Sequence, residues 1–243
     1  ILSAIQTKLL DPKLMIGTLE VLTSLQAKKR DRFREAEPGK ILHEVRAGEL
    51  SVMEELPHSC YYGTVDATPL FLRLFWEVAE ASGDRLLLER TLPAAEAALR
   101  WIDRYGDRDG DGFVEYEGRS RYGLRNQGWK DSADAITFRD GRLAQGPIAL
   151  VEVQGYVYDA KRKMADVYRR LGRPRKARRL QQEADELRER FEAAFWMPEE
   201  GFYALALDGQ KRQVDSIASN PGHCLWSGIV SPERARLVAD RLM

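Results

Sequence analysis

Helical periodicity comes in pairs along this chain, and the pairs are separated by connections far too long for ordinary turns. The first pair runs from Ile1 to Leu10, turns at Asp11-Pro12, and continues through Leu14, Ile16, Leu19, Leu22 and Leu25. A second begins near Pro69, turns at Ser82-Gly83-Asp84, and continues through Leu92, Ala95, Leu99 and Trp101 to Tyr105. A third begins near Pro147, turns at Gly172-Arg173-Pro174, and continues through Leu180, Ala184, Leu187, Phe191 and Phe195. A fourth opens at about His223 and runs into Met243. Apolar residues at spacings of three and four mark one face of each helix, and the Gly and Pro turns mark where each doubles back. Thr68 before Pro69 reads as an N-cap followed by proline at the first helical position.

In each full pair the first helix is apolar or aromatic on most sides, and the second has one apolar stripe opposite a charged face. Val151 to Tyr158 against Lys176 to Arg190 shows the contrast. A helix apolar all round belongs inside, and an amphipathic one outside. The alternation predicts an all-α, double-layered helical barrel. Hairpin starts lie roughly 65 to 80 residues apart, longer than tetratricopeptide or HEAT repeats, so a plain solenoid is disfavoured. The extra length sits in three connections, residues 27–65, 106–146 and 197–221. Each follows an outer helix and precedes an inner one, so all three are expected at the same end of the barrel, where long loops usually serve function. Within the last of them, Gly201 to Leu207, a turn at Asp208-Gly209 and Gln213 to Ile217 predict a small β-hairpin.

Composition narrows the function classes. The 243 residues are 44% hydrophobic, ample for a core, with 38 Lys plus Arg against 38 Asp plus Glu. No net field favours nucleic acid or an anionic membrane, and no apolar run approaches a bilayer span. Two distant cysteines, Cys60 and Cys224, suggest neither a disulfide framework nor a zinc site, and fit a reducing, cytoplasmic setting. The start at Ile1 reads as the middle of a helix, and the chain is expected to be an internal piece of a longer one.

The chemistry-bearing residues lie in or beside the three connections. Gln127-Gly128-Trp129-Lys130-Asp131-Ser132 sets a carboxyl two residues after an indole. The ring offers an apolar platform for a sugar, and a carboxyl against it would have its pKa raised, as a general acid requires. A solvated turn aspartate beside a packed Trp fits the same hexapeptide. Glu152 and Gln154 fall in the first turns of an inner helix, where two long polar side chains could grip vicinal hydroxyls. Glu152 shares a face with Tyr156, whereas Gln154 projects elsewhere. The plain alternative is that Glu152 simply favours the positive helix end. Tyr61-Tyr62-Gly63-Thr64-Val65-Asp66 places Tyr62 and Asp66 just ahead of the second inner helix, Asp66 being equally readable as a turn or cap. Asn220 and His223 stand in the same place at the fourth hairpin, His223 as a hydroxyl ligand or a structural imidazole. Asp107-Arg108-Asp109-Gly110-Asp111-Gly112 has the first half of a calcium loop, but its twelfth position is Gly118 and lacks the bidentate glutamate. It reads as a tight acidic turn, and no metal or cofactor is expected.

In order and spacing, Asp66-Ala67-Thr68, Trp129-Lys130-Asp131 and the octapeptide Val151 to Tyr158 resemble the amylo-α-1,6-glucosidase domains of glycogen-debranching enzymes. Those domains look like (α/α)6 toroids, six-hairpin glycosidases, and are similar to the inverting glucosidases and mannosylglycerate hydrolases of the same clan. The resemblance implies a glycoside hydrolase of α-linked glucose or mannose in which Asp131 protonates the glycosidic oxygen. Asp66, Trp129, Glu152 and Gln154 would line the subsite of the released sugar, with Tyr62, Gln127, Lys130, Tyr156, Asn220 and His223 completing the carbohydrate contacts. This sequence departs from the pattern at Lys130, where a hydrophobic residue is common, and at Gln154-Gly155, which replaces Asn-Ala. The family's Gly-Arg-Asp segment ahead of the first helix and its basic glutamate find no match, so residues 1–243 would form one partial barrel of about three and a half of six hairpins. Two other readings stand beside the enzyme: a non-catalytic carbohydrate-binding helical protein and a helical protein-interaction module, the latter disfavoured by the three aromatic loops.

Overall fold

A computed structural model describes residues 1–243. Helices α1 (Leu2–Gln6) and α2 (Pro12–Leu25) form the first pair, followed by one short turn of helix, α3 (Glu49–Val52), inside the first long connection. Helices α4 (Ala67–Ser82) and α5 (Arg85–Trp101) form the second pair, and a π-helical turn, Ile102–Gly106, extends α5. Strand β1 (Ala149–Leu150) leads into α6 (Val151–Arg170), which doubles back as α7 (Pro174–Ala194). Four short strands follow, β2 (Trp196–Met197), β3 (Phe202–Tyr203), β4 (Ala206–Leu207) and β5 (Gln213–Val214), and then α8 (Pro221–Ser227) and α9 (Pro232–Leu242).

Local chemistry explains most of these boundaries. Asp11 accepts from the N–H of Lys13 at 2.9 Å with Pro12 as the first helical residue, and Asp84 accepts from the N–H of Leu87 at 3.0 Å. Each side chain satisfies a donor that the first turn would otherwise leave bare. Gly83 ends α4 at φ 60°, left-handed backbone that glycine adopts without a Cβ clash. Two expected starts shift. Helix α4 begins at Ala67, so Thr68 is not its cap: the Thr68 hydroxyl accepts from the N–H of Ile41 at 3.0 Å and ties the first connection to the helix. Helix α6 begins at Val151 instead of near Pro147, because Ile148 to Leu150 is drawn into extended pairing. Ile148 exchanges backbone bonds with Tyr116 at 2.9 and 3.0 Å, and Ala149 and Leu150 pair antiparallel with Leu207 and Ala206. The expected hairpin at 201–217 is β4 and β5 joined through Asp208-Gly209, with β1 as a third strand on its other edge. Strand β3 pairs instead with β2.

Helices α4, α6 and α8 pack side by side as the inner layer, with α5, α7 and α9 behind them. Burial follows the layers. Every residue from Val151 to Lys161 of α6 is buried, whereas α7 buries Ala177, Leu180, Ala184, Leu187 and Phe191 alone, a stripe at helical spacing. One continuous apolar cluster of 57 buried residues joins the layers. Phe191 is stacked between Phe195 and Tyr203, at 5.1 and 4.9 Å between ring centroids, which locks the β-strands onto α7.

The three long connections meet at one end, as their order requires. Glu35 of the first reaches the backbone of the second, accepting from the N–H groups of Arg119 and Ser120 at 2.9 Å each. The third is bound to the second by the N–H of Gly209 on the Gln145 carbonyl and by the Ser216 hydroxyl on the Thr137 carbonyl. The calcium-like turn is part of this lattice. Its carboxylates, Asp107, Asp109 and Asp111, lie close enough to share a cation, and the ammonium of Lys211 sits 2.9 Å from Asp109 and 2.6 Å from Asp111 while also pairing with buried Glu115. A side chain from the third connection thus supplies positive charge to the acidic turn of the second.

Gly155, where the resembled domains carry alanine, lies at the crossing of α6 and α8. A Cβ there would stand 2.7 Å from the Ser227 hydroxyl and 3.5 Å from the Cys224 Cα. The backbones can therefore approach only with hydrogen at this position. Gly155→Val is expected to destabilise the fold by about 1–3 kcal/mol through overpacking, measured by urea denaturation; unchanged stability would mean the two helices are not held this close.

Candidate active site

The inner helices bring their N-terminal turns to the end that carries the long loops. Asp66 precedes α4, Glu152 is the second residue of α6, and Asn220 and His223 open α8. The hydroxyl of Tyr156, one turn below Glu152, is hydrogen-bonded to Nδ1 of His223 at 2.8 Å, with the two rings edge to face. Burial lowers the imidazole pKa, partly opposed by the charge of Asp66, which favours the neutral form of His223.

Glu152 is the most constrained group of the set. It is fully buried, and its Oε1 accepts from Nδ2 of Asn220 at 2.7 Å. Its Oε2 has no hydrogen-bond partner, and neither has Oδ1 of Asn220. Desolvation pushes the Glu152 carboxyl up to about 7, and the nearby charge of Asp66 adds to the rise while Asn220 and Lys130 oppose it. Asp66 is raised as well, first by desolvation and against the donation of the Thr64 hydroxyl at 2.5 Å and the charge of His43. Its side chain makes no capping bond to α4. Two neighbouring carboxyls that resist ionisation, two unsatisfied acceptor oxygens and a tyrosine–histidine pair form a polar floor whose hydrogen-bonding capacity is not used up by the protein.

The loop carrying Trp129 and Asp131 lies over this floor, and its path is set by small, specific contacts. Gly128 crosses the start of α6 so closely that a Cβ would fall 2.1 Å from a Leu150 methyl. The Gln127 carbonyl accepts from the N–H of Val65 at 2.7 Å, fixing the loop to the residue before Asp66. Asn126 closes the loop from behind, donating to the Ser132 carbonyl at 2.6 Å and accepting from the Tyr116 hydroxyl at 2.7 Å. The Trp129 ring comes to 6.1 Å from His223, and Lys130 is near enough for its charge to act on Glu152. Trp129 is 61% exposed and Asp131 half exposed, with Asp131 Oδ2 4.0 Å from His43 Nε2. The desolvated carboxyl expected beside the Trp129 ring is thus found at Glu152, within the helix.

Three candidates point away from the floor. Gln154 spends its amide on backbone, accepting from the N–H of Val114 at 2.9 Å and donating to the carbonyls of Val114 and Leu150 at 2.8 and 3.0 Å. Tyr62 donates to the Leu25 carbonyl at 2.6 Å, under the first connection. The Gln127 side chain donates to Glu35 at 2.6 Å, so its contribution here is its carbonyl alone. Conversely, His43, Thr64 and Asn126 belong to the site's construction and carry no local signal: a lone histidine, threonine or asparagine in a long loop has no spacing to betray it.

This arrangement of paired helices with their loops gathered over the inner N-termini is the architecture of six-hairpin glycosidases, and residues 4–243 match the family of mannosylglycerate hydrolase MGH1-like glycoside hydrolase domains. The chain belongs to that family. Among solved structures, an uncharacterised conserved protein of Thermus thermophilus is similar at a TM-score of 0.62 and 17% identity, over 98% of this chain and 65% of that one. A GH78 family rhamnosidase of Bacillus sp. GL1 is similar at a TM-score of 0.59 and 16% identity, over 79% of this chain and 19% of that one. A Klebsiella oxytoca rhamnosidase with rhamnose bound is similar at 0.58 and 15% identity, over 94% and 37% of the two chains. At such identities the likeness is one of fold, and the chain spans only part of each. No curated protein matches the sequence. No helix is long and apolar enough to cross a membrane.

The state of Glu152 has a measurable consequence. A carboxyl raised from 4.5 to about 7 by folding holds a proton that the unfolded chain releases in that interval. Its neutral form costs nothing below about pH 4.5, and stability is lost as pH rises from there to 7, by about 3 kcal/mol in all. Glu152→Gln keeps the acceptor for Asn220 and removes the titration. The variant should therefore be more stable than the wild type at pH 8 and converge on it near pH 5, in denaturation curves taken across that range. A gap independent of pH would mean that Glu152 is ionised in the fold.

Proposed function

We propose that this chain carries the acid-bearing half of an inverting glycoside hydrolase acting on an α-linked glucoside or mannoside, with Asp131 as general acid. The observation that carries the reading is the convergence, at the loop-bearing end, of Trp129 and Asp131 over a floor with two unpaired polar oxygens, Glu152 Oε2 and Asn220 Oδ1. Unpaired buried polar atoms call for hydrogen-bond partners, and the hydroxyls of a pyranose, which both donate and accept, supply them in a fixed array. The exposed indole of Trp129 offers an apolar surface to a sugar face. Asp66, Lys130, Tyr156 and His223 complete the polar contacts, whereas Gln154, Tyr62 and the Gln127 side chain hold the loops in place.

In this scheme protonated Asp131 donates to the glycosidic oxygen as the bond to the anomeric carbon breaks. A second carboxylate, supplied by a glutamate outside residues 1–243, takes a proton from the water that attacks the opposite face. Inversion needs the two carboxyls about 6.5–9.5 Å apart, leaving room for that water. The 243 residues alone should then bind sugar and turn over almost nothing. Resemblance to amylo-α-1,6-glucosidase domains favours an α-1,6-linked glucose, the family favours a mannoside, and the rhamnose-bound structural neighbour adds rhamnosides to the glycosides worth screening with the full-length protein.

A second assignment rests on a specific observation: Glu152, with its carboxyl raised to about 7 and one oxygen free, has the protonation state of an acid. One experiment separates the two. In the full-length enzyme Asp131→Asn should lower kcat on a natural glycoside by on the order of 10² to 10⁴, the usual worth of a positioned acid. A glycosyl fluoride needs little leaving-group protonation and should lose far less. Losses of equal size on both substrates would make Asp131 a sugar-positioning group, and the fluoride-sparing pattern in Glu152→Gln instead would move the acid to Glu152.

A further inference from the structure

Apart from the floor of Asp66, Glu152 and His223, the first and second connections border a cavity of about 400 Å3 lined by Arg30, Arg32, Lys40, Arg108 and Arg119. That volume falls in the range of small-ligand sites. Four acidic residues, Asp31, Glu35, Glu37 and Glu117, share the wall, and the first three each spend acceptors elsewhere. Glu35 accepts from two backbone N–H groups and the Gln127 amide, Asp31 from the N–H groups of Phe33 and Arg34, and Glu37 from the Trp101 indole at 2.9 Å. What remains for the cations is meagre: Arg119 reaches Glu37 at 3.1 Å and Arg108 reaches Glu117 at 3.4 Å.

Lys40 is the decisive residue. It is 5% exposed, lies over the Trp101 ring, and its ammonium has one long hydrogen bond, 3.3 Å to the Glu35 carbonyl, with no carboxylate oxygen within ion-pair distance. The Nε of Arg108 beside it is also buried and has no acceptor. Burial holds the Lys40 amine down to about 8, with Arg108 and Arg119 adding to the fall against Glu37 and Glu35, so the three cations act on one another. A buried cation with unspent donors, Lys40, beside the buried and unpaired Nε of Arg108, is costly unless an anion joins them. A tetrahedral oxyanion would accept from an ammonium and from planar guanidinium forks at once.

We propose that this cavity binds a phosphate group, either inorganic phosphate or the phosphate of a small phosphorylated sugar, with Lys40, Arg108 and Arg119 as its ligands. Arg30 and Arg32 stand at the rim and contribute attraction. The cavity exceeds the size of phosphate alone, which leaves space for a sugar beyond it. The site is independent of the catalytic reading, since none of its cations touches the sugar floor.

Calorimetric titration and thermal shift of the 243-residue chain at constant ionic strength test the idea with inorganic phosphate, glucose 6-phosphate and neutral glucose. Both phosphates should bind with saturation and raise Tm, and glucose should not act through this cavity. Tighter binding of glucose 6-phosphate identifies a phosphorylated sugar as the ligand, and equal binding identifies phosphate itself. Lys40→Met and Arg108→Gln should each weaken phosphate about tenfold or more, the usual scale for a lost charged hydrogen bond. If Lys40→Met does not fold, Arg108→Gln and Arg119→Gln, at less buried positions, carry the comparison. No phosphate binding at about 10 mM, or undiminished binding in the folded variants, overturns the proposal.

Discussion

The uninterrupted burial of α6 from Val151 to Lys161 sets the terms for everything around it. The helix packs against α4, α7 and α8 at once, so a polar side chain on any of its faces must find a partner on a neighbour. Asp159 pairs with Arg73 of α4 at 2.6 Å, and Arg73 also reaches Glu77 and lies 4.5 Å over the Trp226 ring of α8. Lys161 binds Asp103 at 2.9 Å and Glu183 at 2.8 Å, tying α6 to the end of α5 and to α7. Gln154 completes the backbone of Val114. Each of these polar groups is spent on architecture. Glu152 alone keeps an unanswered oxygen, and it does so at the end where the loops gather.

The same burial gives the floor its electrical character. Asp66 and Glu152 are both pushed toward their protonated forms, and His223 is pushed toward its neutral one, all chiefly by desolvation. The result is a surface dense in hydrogen-bonding atoms and poor in fixed charge. Such a surface matches an uncharged polyol better than an ion, because hydroxyls can both donate and accept without bringing a charge to neutralise. The cavity between the first two connections is different in kind: the buried ammonium of Lys40 and the guanidinium groups of Arg108 and Arg119 line it together with four carboxylates. The neutral floor and the charged cavity are joined through the bond of Gln127 to Glu35, which lines the cavity.

Much of the layout is legible in the sequence because it follows from periodicity and order. Paired helical stripes locate the hairpins, the contrast between Val151 to Tyr158 and Lys176 to Arg190 assigns the layers, and chain order alone puts the three connections at one end. The gathering of Asp66, Glu152, Asn220 and His223 follows from their places at inner-helix starts. What sequence alone does not reveal is decided by partners distant in the chain. Gln154 has the same local setting as Glu152, and only the position of Val114, forty residues earlier, turns it into a structural residue. Thr68 has the local setting of a cap because Pro69 follows it, yet Ile41 claims its hydroxyl. The start of α6 moves because Ala149 and Leu150 have strand partners at 206 and 207 that no local rule anticipates. The Asp107 to Asp111 turn suggests a cation without naming it, since Lys211 is about a hundred positions away.

That last contact bears on the order in which the molecule assembles. Glu115 and Lys211 are 96 residues apart, and the whole α6–α7 hairpin lies between them. Ordering so long a span ahead of its contents would sacrifice chain entropy with little to offset it, whereas the hairpin forms from neighbours close in sequence. In the folded chain the ammonium is brought to the acidic turn by the docked α6–α7 hairpin and by the Phe191 stack that holds the β-strands in place. Until then the acidic turn lacks the one cation that the third connection brings to it. Closure of the loop-bearing end is thus expected to follow completion of the helical layers beneath it, because its charge pairing joins segments that those layers hold together.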